Sequence, residues 1–447
     1  MEDRMKNLLE DFGASPVPDS QQKGWFGIGI VYWGVAVCLP AFLVSGLIAG
    51  PSTLGSAIAA FTIGAAVLAV IAVFSGVIGA HTKLSTGLSS TYTFGSKGAY
   101  VFQLMLFFAS WGWFGVQLGF MASGLGNGGL AFAIGGALPG WVLKVVGGAL
   151  MTLTAMMGFK ALEKLSLLAI PLLLVTLGAT TISIYAGETS LAEVAGQSAA
   201  GAMPFGLAVS IVISSFVLGA LIAPDVTRYA RSKRDAGGGM AFGMMIGFPV
   251  VMTLAAIMVK GAGGEPDFSR VMLANNAGIW VLIAIVTIIL AAWTTNDNNL
   301  YSGALSLNAM FPALKKWHIT LASGVVGTVL ALVGINTSGG FQAFLGIIAV
   351  VIPPAAAVML VDFYFYRGER NRAYAPERAA DVPSVRVLPL ACWVVASAAG
   401  FAIQYTPMQL TSITALDTIL IAAVVYFVAA AVDRNKTSAA VAEAPAE

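Results

Sequence analysis

Histidine and cysteine are nearly missing from this chain, with two of each among 447 residues, and charged side chains make up only 10% of it. So few of these residues leave little with which to build a metal centre or a nucleophile–base pair. Cys38 and Cys392 both lie inside apolar runs, so neither a disulfide framework nor a thiolate metal site is expected. No Walker-type phosphate loop, HExxH motif or paired-cysteine spacing occurs, which argues against an ATP-driven pump and against an enzyme. The basic residues form no patch and the formal net charge is +2, so nucleic acid is not an expected partner. An acidic start, with Glu2, Asp3, Glu10 and Asp11 ahead of any apolar run, is unlike the basic opening of a cleaved signal peptide.

What the chain has is apolar length. Hydrophobic residues make up 58% of it and mean hydropathy is +0.86, the balance of a polytopic membrane protein. Twelve segments of about 20 residues, enough for a helix to cross the hydrocarbon layer, centre on 25–48, 54–80, 100–125, 141–159, 166–186, 205–223, 238–259, 278–296, 318–335, 341–363, 387–405 and 412–432. The fold class expected is therefore all-α, with 12 transmembrane helices and both termini on one side. Twenty of the 23 Lys and Arg residues fall before the first span, in the even-to-odd connections or after the last span. Lys260 and Arg270 lie on the opposite face, and Lys144 sits in or near the fourth span. By the positive-inside rule the termini are cytoplasmic, as expected of a multi-pass protein of the cell (inner) membrane. Glu163 and Lys164 read as a solvated boundary pair at the start of the fifth span.

One string stands out against this background. Trp293-Thr294-Thr295-Asn296-Asp297-Asn298-Asn299-Leu300-Tyr301 closes the apolar run that begins at Gly278. Consecutive polar side chains are costly in hydrocarbon, so a span ends in this way where it meets water or lines a solute site. The first span contains Gly34 and Pro40, while the sixth contains Ser214, Ser215 and Gly219 before Pro224-Asp225. Two interrupted spans five helices apart are the pattern of a transporter with inverted five-helix repeats, whose unwound backbone faces a midplane site. A passive channel is disfavoured because the polar residues cluster at one depth and form no continuous stripe. A membrane enzyme would lack a histidine or cysteine constellation.

The eighth-span string resembles the signature of the nucleobase:cation symporter-1 family, closest to its cytosine permeases. Gly112-Trp113-Phe114-Gly115-Val116 is similar to the family's third-helix motif, and Ser215-Phe216 with Pro224-Asp225-Val226-Thr227-Arg228-Tyr229 to its sixth helix. Gly95-Ser96-Lys97-Gly98 and Ile352-Pro353-Pro354 add to the likeness, which runs from about Lys23 to Val432. The resemblance implies a leucine-transporter-like fold of 5+5 inverted repeats plus two C-terminal helices, importing a nucleobase with a cation. The chain then divides into a cytoplasmic segment over 1–22, a transmembrane transporter domain over 23–432 and a disordered cytoplasmic tail over 433–447. No cofactor beyond the coupling ion and no obligate protein partner is expected; the partners are the nucleobase and the lipid bilayer.

The substrate-binding residues follow from the same motifs. Trp113 and Phe216 fall on the positions whose aromatics sandwich the ligand in the family, and stacking suits a planar uncharged ring whose edge must stay free. Trp111, about 200° away around the helix, reads as packing. Gln117 lies at i+4 from Trp113, where its carboxamide offers the ring edge both a donor and an acceptor. Asn296 supplies a second amide, and Ser215 completes the edge. Two departures from the cytosine-permease pattern bear on the solute. Gln117 matches the resembling hydantoin permeases; the cytosine permeases place a glutamine three residues ahead of the tryptophan, where this chain has Ser110, and a small hydroxyl residue where it has Leu218. Cytosine is the expected solute, with a hydantoin, allantoin, purine or hydroxymethylpyrimidine as the alternative.

Sodium is the expected coupling ion. It wants about five or six hard oxygen ligands, which hydroxyls and freed carbonyls supply. Thr294, Thr295 and the carbonyls of Ala291, Gly34 and Val37 match the family's sodium site position by position. Asp225 and Asp297 are the carboxylates that could make the coupling ion a proton instead. An ion pair with Arg228 is the simpler expectation for Asp225, and a local cap or pair for Asp297.

Overall fold

The computed structural model describes residues 16–126, 138–157, 159–187, 189–198, 203–265, 267–367, 374, 381–404, 406 and 410–442. Residues 1–15 of the expected N-terminal segment, most of the basic loop between Arg367 and Val385, and residues 443–447 of the expected tail lie outside them. Without water in the bilayer core every peptide group must bond within its own segment, and the long apolar runs accordingly form helices. These are α1 (Trp25–Ala36), α2 (Leu39–Ala49), α3 (Leu54–Thr82), α4 (Thr86–Phe94), α5 (Ala99–Gly124), α6 (Gly140–Met156), α7 (Phe159–Tyr185), α8 (Leu191–Ala195), α9 (Phe205–Leu221), α10 (Ala223–Thr227), α11 (Lys233–Gly261), α12 (Phe268–Ala274), α13 (Ile279–Met310), α14 (Lys316–Leu332), α15 (Ser338–Val361), α16 (Val387–Gln404) and α17 (Thr414–Ala442).

Among the described residues nine helices are long and apolar enough to cross a membrane, and α1 with α2, bent by 59° at their junction, makes a tenth span. The shorter apolar helices α6 and α14 stand at the fourth and ninth positions, so the order is consistent with twelve. The chain is a multi-pass membrane protein.

Several boundaries differ from the sequence expectation. The eighth span does not stop at its polar string: α13 runs 32 residues to Met310, and Thr294 to Tyr301 are all buried inside it. The string is therefore the middle of a helix, its polar side chains turned to neighbouring helices. The sixth span is interrupted by a single residue, Ile222, near the end of its apolar run, while Ser214, Ser215 and Gly219 are helical. Among the described residues only the first span has a break bent by more than 40°. Between spans two and three the unforeseen α4, a polar run capped by Ser85, is buried. The last helix runs to Ala442, ten residues past the expected end of its span.

Charges within the bundle have partners. Glu163 pairs with Lys23 at 2.8 Å instead of with Lys164, tying the entry of the first span to the fifth. Lys144 donates to the Ala331 carbonyl at 2.8 Å, joining α6 to the end of α14. Asp362, at the end of α15, is gripped by Arg386 through two bonds of 2.8 and 2.9 Å and accepts from the hydroxyls of Tyr374 and Tyr426 at 2.7 and 2.6 Å. This network fastens the last three spans together and reaches the carbonyls of Tyr92 and Thr93 on α4.

Candidate solute and cation site

The break in the first span builds one wall of the site. Pro40 is the second residue of α2 and has no N–H, so the Ala36 carbonyl loses its partner four residues on and accepts from Cys38 N at 3.1 Å. The extended backbone at Cys38 likewise diverts the partners of Gly34 and Val35. Their carbonyls turn to α13: Thr294 Oγ1 lies 3.0 Å from Gly34 O, and Thr295 Oγ1 lies 3.0 Å from Val35 O. The same hydroxyls lie 3.1 and 3.4 Å from the carbonyls of Leu290 and Ala291 on their own helix. Gly34, Ala291, Thr294 and Thr295 are thus gathered at one junction. Val35, which the sequence did not single out, joins them, and Val37 sits at the bend with its N–H on the Trp33 carbonyl. The donor set is neutral oxygen throughout, which fits a hard monovalent cation.

Immediately beside this junction lies a narrow cavity of about 20 Å³, room for about one water molecule. Trp113 and Gln117 line it from α5, Ser215, Phe216, Leu218 and Gly219 from α9, Val35 and Cys38 from the first span, and Thr295, Asn298 and Asn299 from α13. Both expected aromatics are braced by a neighbouring ring: Trp113 meets Phe344 edge-on at 5.3 Å, and Phe216 lies against Phe248 at the same separation. Trp111 packs on Phe107 and Phe108. The Tyr32 hydroxyl donates to the Gly219 carbonyl and so joins the first and sixth spans at the cavity's edge.

Gln117 is 1% exposed, and neither atom of its carboxamide has a hydrogen-bond partner in the protein. The Cys38 thiol is near enough to interact with it, but a thiol is a weak substitute for an amide's partners. Asn298 Oδ1 is also unpartnered. Groups of this kind are rare in folded proteins and cost about 1–3 kcal/mol each, so a cavity that presents three such atoms is built to bond something.

Asn296 and Ser215 differ from that picture. Asn296 lies behind the cavity wall, where Nδ2 donates to the Phe114 carbonyl at 3.2 Å and Oδ1 accepts from Asn299 at 3.4 Å. It does not line the cavity; Asn298 and Asn299 do. Helical spacing carried the missed signal, since 295, 298, 299 and 302 share one face of α13 and 296 is turned about 100° from 295. Ser215 lines the cavity, although its hydroxyl bonds the Val212 carbonyl of its own helix at 2.8 Å.

The two carboxylates are also placed differently from expectation. Asp225 accepts from Thr86 N at 2.7 Å, capping α4 with its carboxylate, while Arg228 Nε meets the Asp225 main-chain carbonyl at 3.2 Å. Arg228 also bonds Tyr301 at 2.6 Å. Asp297 points to the fourth span, where Thr154 Oγ1 donates to it at 2.7 Å and is itself bonded by Trp293 Nε1.

Residues 16–378 match the family model described as permease for cytosine/purines, uracil, thiamine, allantoin. The chain is 30% identical to the cytosine permease of Escherichia coli (strain K12) over 386 residues, covering 86% of this chain and 88% of that one. It is 23% identical to the hydantoin permease of Microbacterium maritypicum over 425 residues, or 89% and 85% of the two chains. Among solved structures it resembles Mhp1, a nucleobase-cation-symport-1 family transporter, in a closed conformation with bromovinylhydantoin bound, with a TM-score of 0.78, 20% identity and coverage of 94% and 95%. A sodium-coupled sialic acid symporter gives 0.71 at 12% identity, covering 96% and 93%, so the leucine-transporter-like fold extends beyond the family. The relatives are permeases and transporters, and this chain is a transporter rather than an enzyme. It belongs to the nucleobase-cation-symport-1 family, among the permeases for cytosine and related rings.

Proposed function

We propose that the protein imports a nucleobase, cytosine, into the cell by sodium symport with alternating access across the inner membrane, its termini cytoplasmic. One observation carries this reading: both atoms of the Gln117 carboxamide are unpartnered in a cavity walled by Trp113 and Phe216. Indole and phenyl faces hold a planar neutral ring, and an amide with a free donor and a free acceptor reads its edge. Asn298 Oδ1 offers a further acceptor. Sodium held among Gly34, Ala291, Thr294 and Thr295 would pin the broken first span against α13, which links ion binding to the shape of the adjoining cavity. The basic residues concentrated on the terminal face support the orientation.

A hydantoin, allantoin, purine or hydroxymethylpyrimidine is the second reading, favoured by Gln117 with Ser110 and Leu218 in the positions described and by the hydantoin permease among the relatives. Thermal-shift titration of purified protein with nucleobases and hydantoins, with and without sodium, decides between them, because a ligand of the folded state raises apparent stability by mass action. Counterflow in proteoliposomes tests transport: a carrier exchanges labelled for unlabelled solute, and its absence with every ring tried would refute the reading.

Two substitutions extend the test. Trp113→Ala and Phe216→Ala should each lose about 1–3 kcal/mol of solute binding, the scale of base–aromatic stacking; wild-type affinity in both would remove the aromatic walls from the site. Gln117→Gly should reorder the solutes by affinity more than Ser110→Ala does, since the ring edge loses a partner that the rest of the cavity cannot replace. An unchanged order would make Gln117 structural and leave cytosine as the plain favourite.

A further inference from the structure

A second cavity, of about 250 Å³ against about 20 Å³ for the central one, lies beside the second half of the first span. It approaches the size of a small-molecule pocket. Leu39 and Leu43 of α2 and Phe120 of α5 give it apolar walls, while Ser123 near the end of α5, Asp267 at the entry of α12 and Asn336 ahead of α15 give it polar ones. Asp267 and Asn336 stand in the connections between spans seven and eight and between nine and ten, on the face opposite the termini in the orientation proposed above.

These walls are held in place. Phe268, the first residue of α12, stacks on Phe42 of α2 with ring centroids 3.9 Å apart and planes 16° from parallel. Ser269 sits so close to α5 that a Cβ on Gly124 would lie 2.4 Å from its Oγ. Asp267 caps α12, with Oδ1 accepting from the N–H groups of Ser269 and Arg270 at 3.0 and 3.2 Å. Asn336 is seated on α5: Nδ2 lies 3.3 Å from Ser123 Oγ, and a Cβ on Gly119 would come within 2.3 Å of the amide. Its Oδ1 is buried and has no partner in the protein. A pocket with fixed walls and an amide one bond short is fitted to receive a polar ligand.

Cys38 has extended backbone, so its side chain and that of Leu39 point to opposite sides. Cys38 lines the central cavity and Leu39 the outer one. The first turn of α2 is therefore the wall between the two, and it begins at the break that frees the Gly34 and Val35 carbonyls for the ion junction. We propose that the outer cavity is a second binding site for the same class of neutral ring, filled from the face opposite the termini while the central cavity is closed. The proposal rests on the transport reading above and adds a second occupant to it. Leucine and phenyl surfaces cover the faces of the ring, the Asn336 amide and the Ser123 hydroxyl meet its edge, and the Asp267 carboxylate accepts from ring N–H groups. The same carboxylate disfavours a ring that carries negative charge, so selection against anions begins here.

Counting bound rings tests it. Radiolabelled cytosine, adenine, allantoin and hydantoin are each equilibrated with the purified full-length chain in sodium, up to the solubility limit, and bound label is measured by equilibrium dialysis. Saturation at about two rings per chain is expected for whichever ring the central cavity takes. Leu43→Trp, which fills the outer cavity, should leave one of them, and Trp113→Ala should weaken the central ring while sparing the outer one. Asn336→Ala, a milder change in a connection, should weaken the outer ring alone by roughly tenfold. A single ring that depends on Trp113 and on neither Leu43 nor Asn336, or a second ring that neither outer variant affects, overturns the proposal and leaves the transport reading intact. A single ring that depends on Leu43 and Asn336 but not on Trp113 or Phe216 upholds the outer site and sinks the central one. No bound ring of any kind overturns both.

Discussion

Arg386→Leu should lower folding stability by about 3–5 kcal/mol, the loss expected when one partner of a buried ion pair is removed and the other charge stays behind. Asp362 is fully buried, and both guanidinium bonds to it go at once, together with those from Arg386 to the Tyr92 and Thr93 carbonyls. The hydroxyls of Tyr374 and Tyr426 remain, but two neutral donors do not replace a guanidinium. Thermal unfolding in detergent reads the loss. Combining Arg386→Leu with Asp362→Leu should recover much of it, because the stranded charge goes too. A single substitution no worse than the double would mean that the ion pair does not hold the last three spans to α4.

Spans and their order were legible because a bilayer demands long apolar runs and tolerates few other patterns, while the leucine-transporter-like fold was implied by the motifs' resemblance to the family. What the runs could not show is where a helix continues through polar residues. Asn296 to Asn299 look like an ending because each would be costly in lipid, yet α13 carries them inside the bundle, where other helices and the cavity receive them. Helix α4 was missed for the opposite reason: Thr86 to Thr93 are too polar to read as membrane-buried, and burial on all sides comes from α5, α13 and α10. The Glu163–Lys23 pair joins residues 140 apart in the chain, a distance no local reading spans.

Most of the residues named for the candidate site converge in the fold. Trp113, Gln117, Ser215, Phe216 and Thr295 line one cavity. Asn296 was chosen over Asn298 and Asn299 as the amide for the ring edge, although counting turns from Thr295 would have favoured the later two. Val37 was named for its carbonyl, but it is the carbonyl of Val35, freed by a break two residues further on, that meets the Thr295 hydroxyl.

Replacing both Thr294 and Thr295 with alanine should abolish the sodium dependence of solute binding while weak binding persists. The two hydroxyls are the side-chain oxygens at the junction with the broken first span, and their loss leaves Gly34 and Val35 carbonyls facing methyl groups. Trp113, Gln117 and Phe216 stand on other helices and keep their places, so the ring still has its walls. Linkage makes the test reciprocal: the factor by which sodium tightens the solute must equal the factor by which the solute tightens sodium, and both should fall to one in the double variant. Titrating solute at several sodium concentrations, with potassium holding ionic strength constant, measures the first factor, and titrating sodium at several solute concentrations measures the second. Retained coupling in the variant would move the ion elsewhere. Should the wild type respond to pH and not to sodium, the buried carboxyls take over as candidates. Asp297, with one oxygen on Thr154 and the other unpartnered, is then the first to replace, because the neutral Asp297→Asn variant keeps a hydrogen-bonding oxygen yet cannot carry the proton.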